Sequence, residues 1–236
     1  MQKYDDRDRI AAALTEAAKA IHSPRSLEET LDAIAHAARN TIPGFDHVGI
    51  SITHKDGAIE TMAGSDQLVW ELDALQYSLQ QGPCVDSMRT GPVMTMEDID
   101  TETHWPEYLP GAAAKGLKSQ LALRLYTEDK TLGGLNLYST KRRGIDPDAI
   151  AIAELFATHA ALALDRARYD HDLSEAVASR QVIGTAVGIV MQRFEITENR
   201  AFQYLARASM SSNIKLRVIA EEVVASTNER FADTSG

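Results

Sequence analysis

An α+β fold is predicted by three features of this 236-residue chain. Amphipathic helical segments come first. Segments of period-two apolar alternation follow, separated by turn signals and a helical insertion. Residues 149–194 then run without a strong breaker except Gly184 and Gly188. The pattern predicts an antiparallel sheet flanked by helices, then a long connecting helix, then an all-α module of three helices.

Each element has a local cause. Ile10, Leu14, Ala17, Ala18 and Ile21 recur at helical spacing until Pro24 breaks the run. Ser26 opens Ser-Leu-Glu-Glu, a capping box with Glu29, and Leu27, Leu31, Ile34, Ala35 and Ala38 form the stripe of a second helix ending near Pro43 and Gly44. Val48, Ile50 and Ile52 alternate as in a half-buried strand. Lys55-Asp-Gly57 makes a hairpin turn, and residues 58–63 return. Ser65 and Asp66 suit a cap for a helix carrying Leu68, Leu72, Leu75 and Leu79. Residues 92–96 read as a strand, 106–115 as a helix closed by Gly116, and 119–126 and 132–138 as paired strands. Gly133 and Gly134 inside the last strand signal a bulge or a close backbone approach.

Asp146-Pro-Asp starts the long helix. Its stripe of Ile152, Leu155, His159, Leu162, Tyr169, Leu173 and Val177 is longer than one small domain can cover, which predicts a homodimer. Thr197 is expected to cap a further helix bearing Phe202, Leu205 and Ser209. Residues 210–213 are expected to form a turn in which Asn213 caps a last helix with Leu216, Ile219, Ala220 and Val223 inward. Gly184 and Gly188 would cost about 1 kcal/mol each against Ala, and a close helix–helix approach is the expected compensation.

Hydrophobic residues at 44% and charged residues at 25% are globular values. The longest uncharged stretches are 12 residues, short of the roughly 20 that span a bilayer. With no apolar signal segment at the N-terminus, a soluble cytoplasmic protein is expected. Cys84 is the single cysteine, and the histidines lack metal-ligand spacing, so no disulfide, metal or cofactor is expected. Cys84 follows Gly-Pro at the start of a helical turn and is a candidate thiol sensor. Asp98, Asp100 and Glu102 read as a solvated loop. The net charge is −10, yet residues 180–217 hold six basic residues against two acids. A basic island on an acidic body favours selective anion binding.

Two resemblances then emerge. Ser179-Arg-Gln-Val-Ile-Gly-Thr-Ala-Val-Gly-Ile-Val-Met191, followed by Thr197-Glu-Asn-Arg-Ala-Phe-Gln-Tyr-Leu-Ala-Arg207 and Ser211-Ser-Asn-Ile-Lys-Leu-Arg-Val-Ile-Ala220, resembles the ANTAR RNA-binding antiterminator domain. Val187 stands where that family often has Lys. Leu75-Gln-Tyr77, Gln81-Gly-Pro-Cys84, His104-Trp-Pro106, Gly116-Leu-Lys-Ser119 and Gly133-Gly-Leu-Asn-Leu-Tyr-Ser139 resemble the GAF sensor domain joined to ANTAR in actinobacteria. The resemblance implies a GAF domain over residues 1–165 with about six strands and a small-molecule or partner pocket of unidentified ligand. It further implies a helical linker over 166–178, an ANTAR domain over 179–228 and a frayed tail over 229–236. The implied function is signal-responsive transcription antitermination, a homodimer binding paired stem-loops in leader RNA through Arg180, Arg200, Arg207, Lys215 and Arg217 with Ser211 and Asn213. The alternative is a DNA-binding helix-turn-helix built from the last two helices. GAF-like methionine sulfoxide reductases use several cysteines, so an enzyme is not expected.

Overall fold

The computed structural model describes residues 15, 19, 26–54, 56–128 and 130–234. The apolar residues of the helix expected over 10–21 lie outside the described residues. The chain divides into two compact units at residues 169 and 170.

The first unit is built on a five-stranded antiparallel sheet of order β2-β1-β5-β4-β3. The strands are β1 (His47–Thr53), β2 (Ile59–Gly64), β3 (Val93–Met96), β4 (Ser119–Tyr126) and β5 (Thr131–Ser139). Five strands stand among the described residues where about six were expected. Helix α1 (Leu27–Thr41) starts at the predicted capping box. Ser26 Oγ accepts from the Glu29 amide at 3.1 Å, and Glu29 Oε2 accepts from the Ser26 amide at 3.1 Å. Asp66 caps α2 (Gln67–Leu79) by accepting from the Leu68 amide. Short helices α3 (Pro83–Arg89) and α4 (Tyr108–Ala114) complete that side.

Period-two alternation gives the sheet two chemically different faces. Val48, Ile50, Ile52, Leu121, Leu123, Leu125, Leu135 and Leu137 join α1 in one apolar core. Helix α5 (Pro147–Phe194) covers the same core with Ala149, Ile152, Ala153, Phe156, Ala160 and Leu164. The other face presents Ser51, Gln120, Asn136 and Tyr138, and these are buried as well. Gly133 is obligatory at the β1–β5 contact, because a Cβ there would collide with the Ser51 carbonyl oxygen. The stripe on α5 therefore divides. Ile152 is core, while Leu155, Leu162, Tyr169, Leu173 and Val177 stay 47% to 68% exposed. One window of α5 is apolar enough by composition to cross a bilayer, and half of it is buried within the fold.

The second unit packs the C-terminal part of α5 with α6 (Glu198–Ser212) and α7 (Leu216–Thr234). Its core is small: Ala186, Val187, Val190, Ala201, Leu205 and Ala220. Two local expectations need correction. Helix α6 continues through Ser212, and Asn213 ends it in the left-handed region at φ 55°, where a short polar side chain is tolerated, instead of capping the next helix. Helix α7 runs on to Thr234, past residue 228 where the tail was placed. Leu216 is half-buried and Leu205 fully buried. Leu205→Ala should therefore lower stability by about 2 to 5 kcal/mol and Leu216→Ala by clearly less, as read from chemical denaturation of the full chain.

Candidate functional site

The buried polar face of the sheet converges on one carboxylate. Asp73, on α2, is fully buried. Its Oδ2 accepts from Thr61 Oγ1 at 2.6 Å, and its Oδ1 accepts from Asn136 Nδ2 at 3.1 Å and from the Tyr138 hydroxyl. Asn136 Nδ2 also donates to Ser51 Oγ at 3.2 Å and lies 3.1 Å from Cys84 Sγ. Ser51 Oγ and the Tyr77 hydroxyl are 2.5 Å apart. A second layer is formed by Gln76. Its Oε1 accepts from the Cys84 amide at 2.9 Å and its Nε2 donates to the Tyr138 hydroxyl at 3.0 Å. Tyr108 donates to Gln120 Oε1 at 2.8 Å. Among the described residues the three donors to Asp73 are neutral, and Asn136 Oδ1 is buried without a hydrogen-bond partner.

Burial sets the protonation of this cluster. It raises Asp73 to about 6, although the bonds from Thr61, Tyr138 and Asn136 pull the other way. It pushes the Cys84 thiol up to about 12, and the neighbouring Asp73 charge pushes in the same direction. The Tyr108 and Tyr138 phenols are raised by burial too. At Cys84 desolvation outweighs the helix N-terminus on which the reading of a reactive thiol relied, and the side chain is fully buried. Of this cluster the sequence gives only Cys84 a candidate role, although Gln76, Tyr77, Asn136 and Tyr138 lie in segments that resemble a GAF domain. The missed signal was polar residues at alternating positions of apolar strands, such as Asn136 between Leu135 and Leu137. Asp98 and Asp100 instead share the exposed guanidinium of Arg143.

In the second unit the basic residues lie on its surface. Arg200 and Arg207 are exposed on α6, seven residues and about two turns apart. Ser211 and Asn213 are exposed at the end of α6, and Lys215 is exposed just before α7. Arg180 is exposed on α5. Arg217 differs, because its guanidinium is engaged by Glu221 at 2.9 Å and Glu175 at 3.1 Å. Those carboxylates hold its proton more tightly and offset its charge. The glycines also depart from expectation. A Cβ on Gly184 or Gly188 would meet nothing within 4 Å, so no close helix approach within the chain compensates them. They open instead onto a groove of about 630 Å³ between α5 and α6. Among the described residues no group of three or more His, Cys, Asp or Glu side chains is placed to hold a metal ion.

A sheet with helices on both faces and a buried polar cluster is followed by a small helical unit with exposed basic residues. The GAF domain model matches residues 24–165 and the ANTAR domain model residues 171–224. The chain thus belongs to the GAF domain family and carries an ANTAR domain after it. Solved structures are similar to its first unit. The GAF domain of a phosphoenolpyruvate-protein phosphotransferase from Acinetobacter is 13% identical, with 70% of this chain and 98% of that one covered and a TM-score of 0.54. That of the Coxiella burnetii phosphotransferase is 14% identical, with 69% and 96% covered and a TM-score of 0.55. The phycoerythrobilin-bound GAF domain of a cyanobacterial phytochrome is 16% identical, with 69% and 97% covered and a TM-score of 0.54. At these identities the likeness shows the fold alone. No curated protein matches the chain. A GAF domain is a signal-sensing module and an ANTAR domain an RNA-binding antitermination module, and both are regulatory.

The Asp73 geometry sets a pH dependence. The folded-state value, about 6, lies above the ordinary 3.8, so folding favours the proton. That contribution is fully present below about pH 4 and is lost as pH rises through about 6, a cost on the order of 3 kcal/mol at neutral pH. Asp73→Asn should raise stability at pH 7 relative to pH 4, compared with the parent chain, in paired denaturant titrations. Parallel pH profiles for the two proteins would rule out this assignment.

Proposed function

We propose that the protein is a cytoplasmic, non-enzymatic transcription antitermination regulator that binds paired stem-loops in leader RNA as a homodimer. The observation that carries this reading is a set of exposed cations, Arg180, Arg200, Arg207 and Lys215, on the segment matched by the ANTAR domain. Ser211 and Asn213 add uncharged hydrogen-bonding groups at the α6–α7 turn. Arg217 contributes once RNA phosphate displaces Glu175 and Glu221. Guanidinium groups pair bidentately with phosphate and stack on unstacked loop bases, which suits hairpin loops better than a duplex groove.

The sensor input is a small molecule or partner acting on the polar face of the sheet. Support comes from the buried cluster around Asp73 and the open acceptor Asn136 Oδ1. A GAF domain of the same fold carries phycoerythrobilin, so this architecture accommodates a bound organic molecule in that protein. Cys84 belongs to this cluster and acts as a thiol sensor only when the cluster opens, because burial holds its thiol protonated. The homodimer is supported by the exposed line on α5: Leu155, Leu162 and Tyr169 recur every seven residues, and Leu173 and Val177 continue the line.

Two measurements test the reading. Titration of a two-hairpin RNA at several salt concentrations should show a slope of about 0.7 to 0.9 per neutralised phosphate, and the Arg207→Ala/Lys215→Ala double variant should bind more weakly with a flatter slope. Equal affinity for the double variant, or preference for duplex DNA, would overturn the RNA face. Light scattering at tens of micromolar should give twice the 25.8 kDa chain mass, and Leu162→Glu should shift it toward monomer. A monomeric parent chain at that concentration would end the dimer proposal.

A further inference from the structure

Gly184 and Gly188 sit one turn apart on α5, where each costs about 1 kcal/mol against Ala, and nothing inside the chain approaches them. They floor a groove whose walls are apolar: Ile183, Val187 and Met191 from α5, and Phe202 from α6. Its rim is polar, formed by Arg180, Glu198 and Asn199. Phe202 is 44% exposed, so part of its ring faces the groove without protein cover. Arg180 and Glu198 are exposed, and neither is in an ion pair among the described residues. The volume, about 630 Å³, falls in the roughly 300 to 1,000 Å³ range of small-molecule sites. An apolar slot with an aromatic wall, donors and acceptors at its edge and a cation at its mouth matches one nucleotide. The cation and the two hydrogen-bonding groups at the rim complement the phosphate and the polar edge of a nucleotide, so the chemistry favours a base.

We propose that this groove holds one unstacked base of the RNA loop, stacked on Phe202, with Asn199 and Glu198 on its polar edge and Arg180 on the adjoining phosphate. The inference rests on the RNA-binding reading above and adds a site for base recognition to it. The glycines are then explained, since any Cβ at position 184 or 188 would stand on the floor that the base occupies. Glu198 accepts hydrogen bonds only, and Asn199 can pair bidentately with an adenine edge, so the site selects a base bearing an exocyclic amino group and disfavours uracil. Base stacking tolerates sequence, whereas the rim groups discriminate.

The test uses the full chain and the tightest binder from a pool of two-hairpin RNAs with randomised loops. Phe202→Ala should weaken binding by roughly 5- to 150-fold while leaving the salt slope unchanged, because it removes stacking and no phosphate contact. Phe202→Tyr should restore most of the affinity. An abasic residue at one loop position should weaken the parent chain similarly and have little further effect on Phe202→Ala. Gly188→Leu should block binding, with circular dichroism reporting its fold. If that variant does not fold, Phe202→Ala and the abasic scan decide. Tight RNA binding that neither Phe202→Ala nor any abasic position disturbs would overturn the base site and leave the RNA reading standing. A pool from which nothing binds the parent chain would remove both. Conversion of the Phe202→Ala and Gly188→Leu proteins to monomers, with RNA loss only in proportion, would assign the groove to a second copy and overturn the base site.

Discussion

Asp73 is a carboxylate shut away from water with only neutral hydrogen-bond donors around it, and the polar side of the sheet is arranged to make that tolerable. Four of the five strands contribute to the solution. Thr61 comes from β2, Ser51 from β1, Asn136 and Tyr138 from β5 and Gln120 from β4, all on the face away from the apolar core. Helices α2, α3 and α4 roof that face, and their own polar groups, Gln76, Tyr77, Cys84 and Tyr108, complete the network. A buried network of this kind is strong when satisfied and costly when one member is removed. The open acceptor on Asn136 is the one place where it is incomplete.

The fold was legible in the sequence wherever local physics decides it. The Ser26 capping box, the Asp66 cap, the Gly57 turn and the strand alternation all survive into the structure, because each depends on neighbours a few residues away. Alternation also misled, since a period of two says that the faces differ without saying that the polar one is dry. Nothing local in the sequence marks Asp73, between Leu72 and Ala74, as a buried carboxylate. Asn213 was misplaced for a related reason. Asn suits both an N-cap and a left-handed helix end, and only the course of α6 distinguishes them. The glycines on α5 posed the opposite problem. Their cost was visible in the sequence, but whether a neighbour fills the space beside them is a tertiary fact.

The basic surface of the second unit is graded. Arg200, Arg207 and Lys215 are exposed, whereas Arg217 is held by Glu175 and Glu221. The pairs are solvent-accessible, so each contributes little to stability, and RNA phosphates, whose oxygens accept bidentately from a guanidinium, can take their place. An acidic chain with such a face repels nucleic acid generally and accepts it where the geometry lets several cations act together. A small core holds this surface in place: Val187, Leu205 and Ala220 are buried, and Leu216, Ile219 and Val223 pack against them from half-buried positions.

The closed roof over Asp73 also bears on timing. Asp73, Gln76, Cys84, Gln120, Asn136 and Tyr138 have no measurable exposure, so a proton, an oxidant or an organic molecule reaches them only when the roof of α2, α3 and α4 opens. Arrival rates at such a site are set by the frequency of local opening, whatever the concentration outside, once that concentration is high. The sensor half would then behave as an integrator. Brief pulses of a signal would pass unrecorded, and a sustained one would accumulate in the closed state and leave as slowly as it entered.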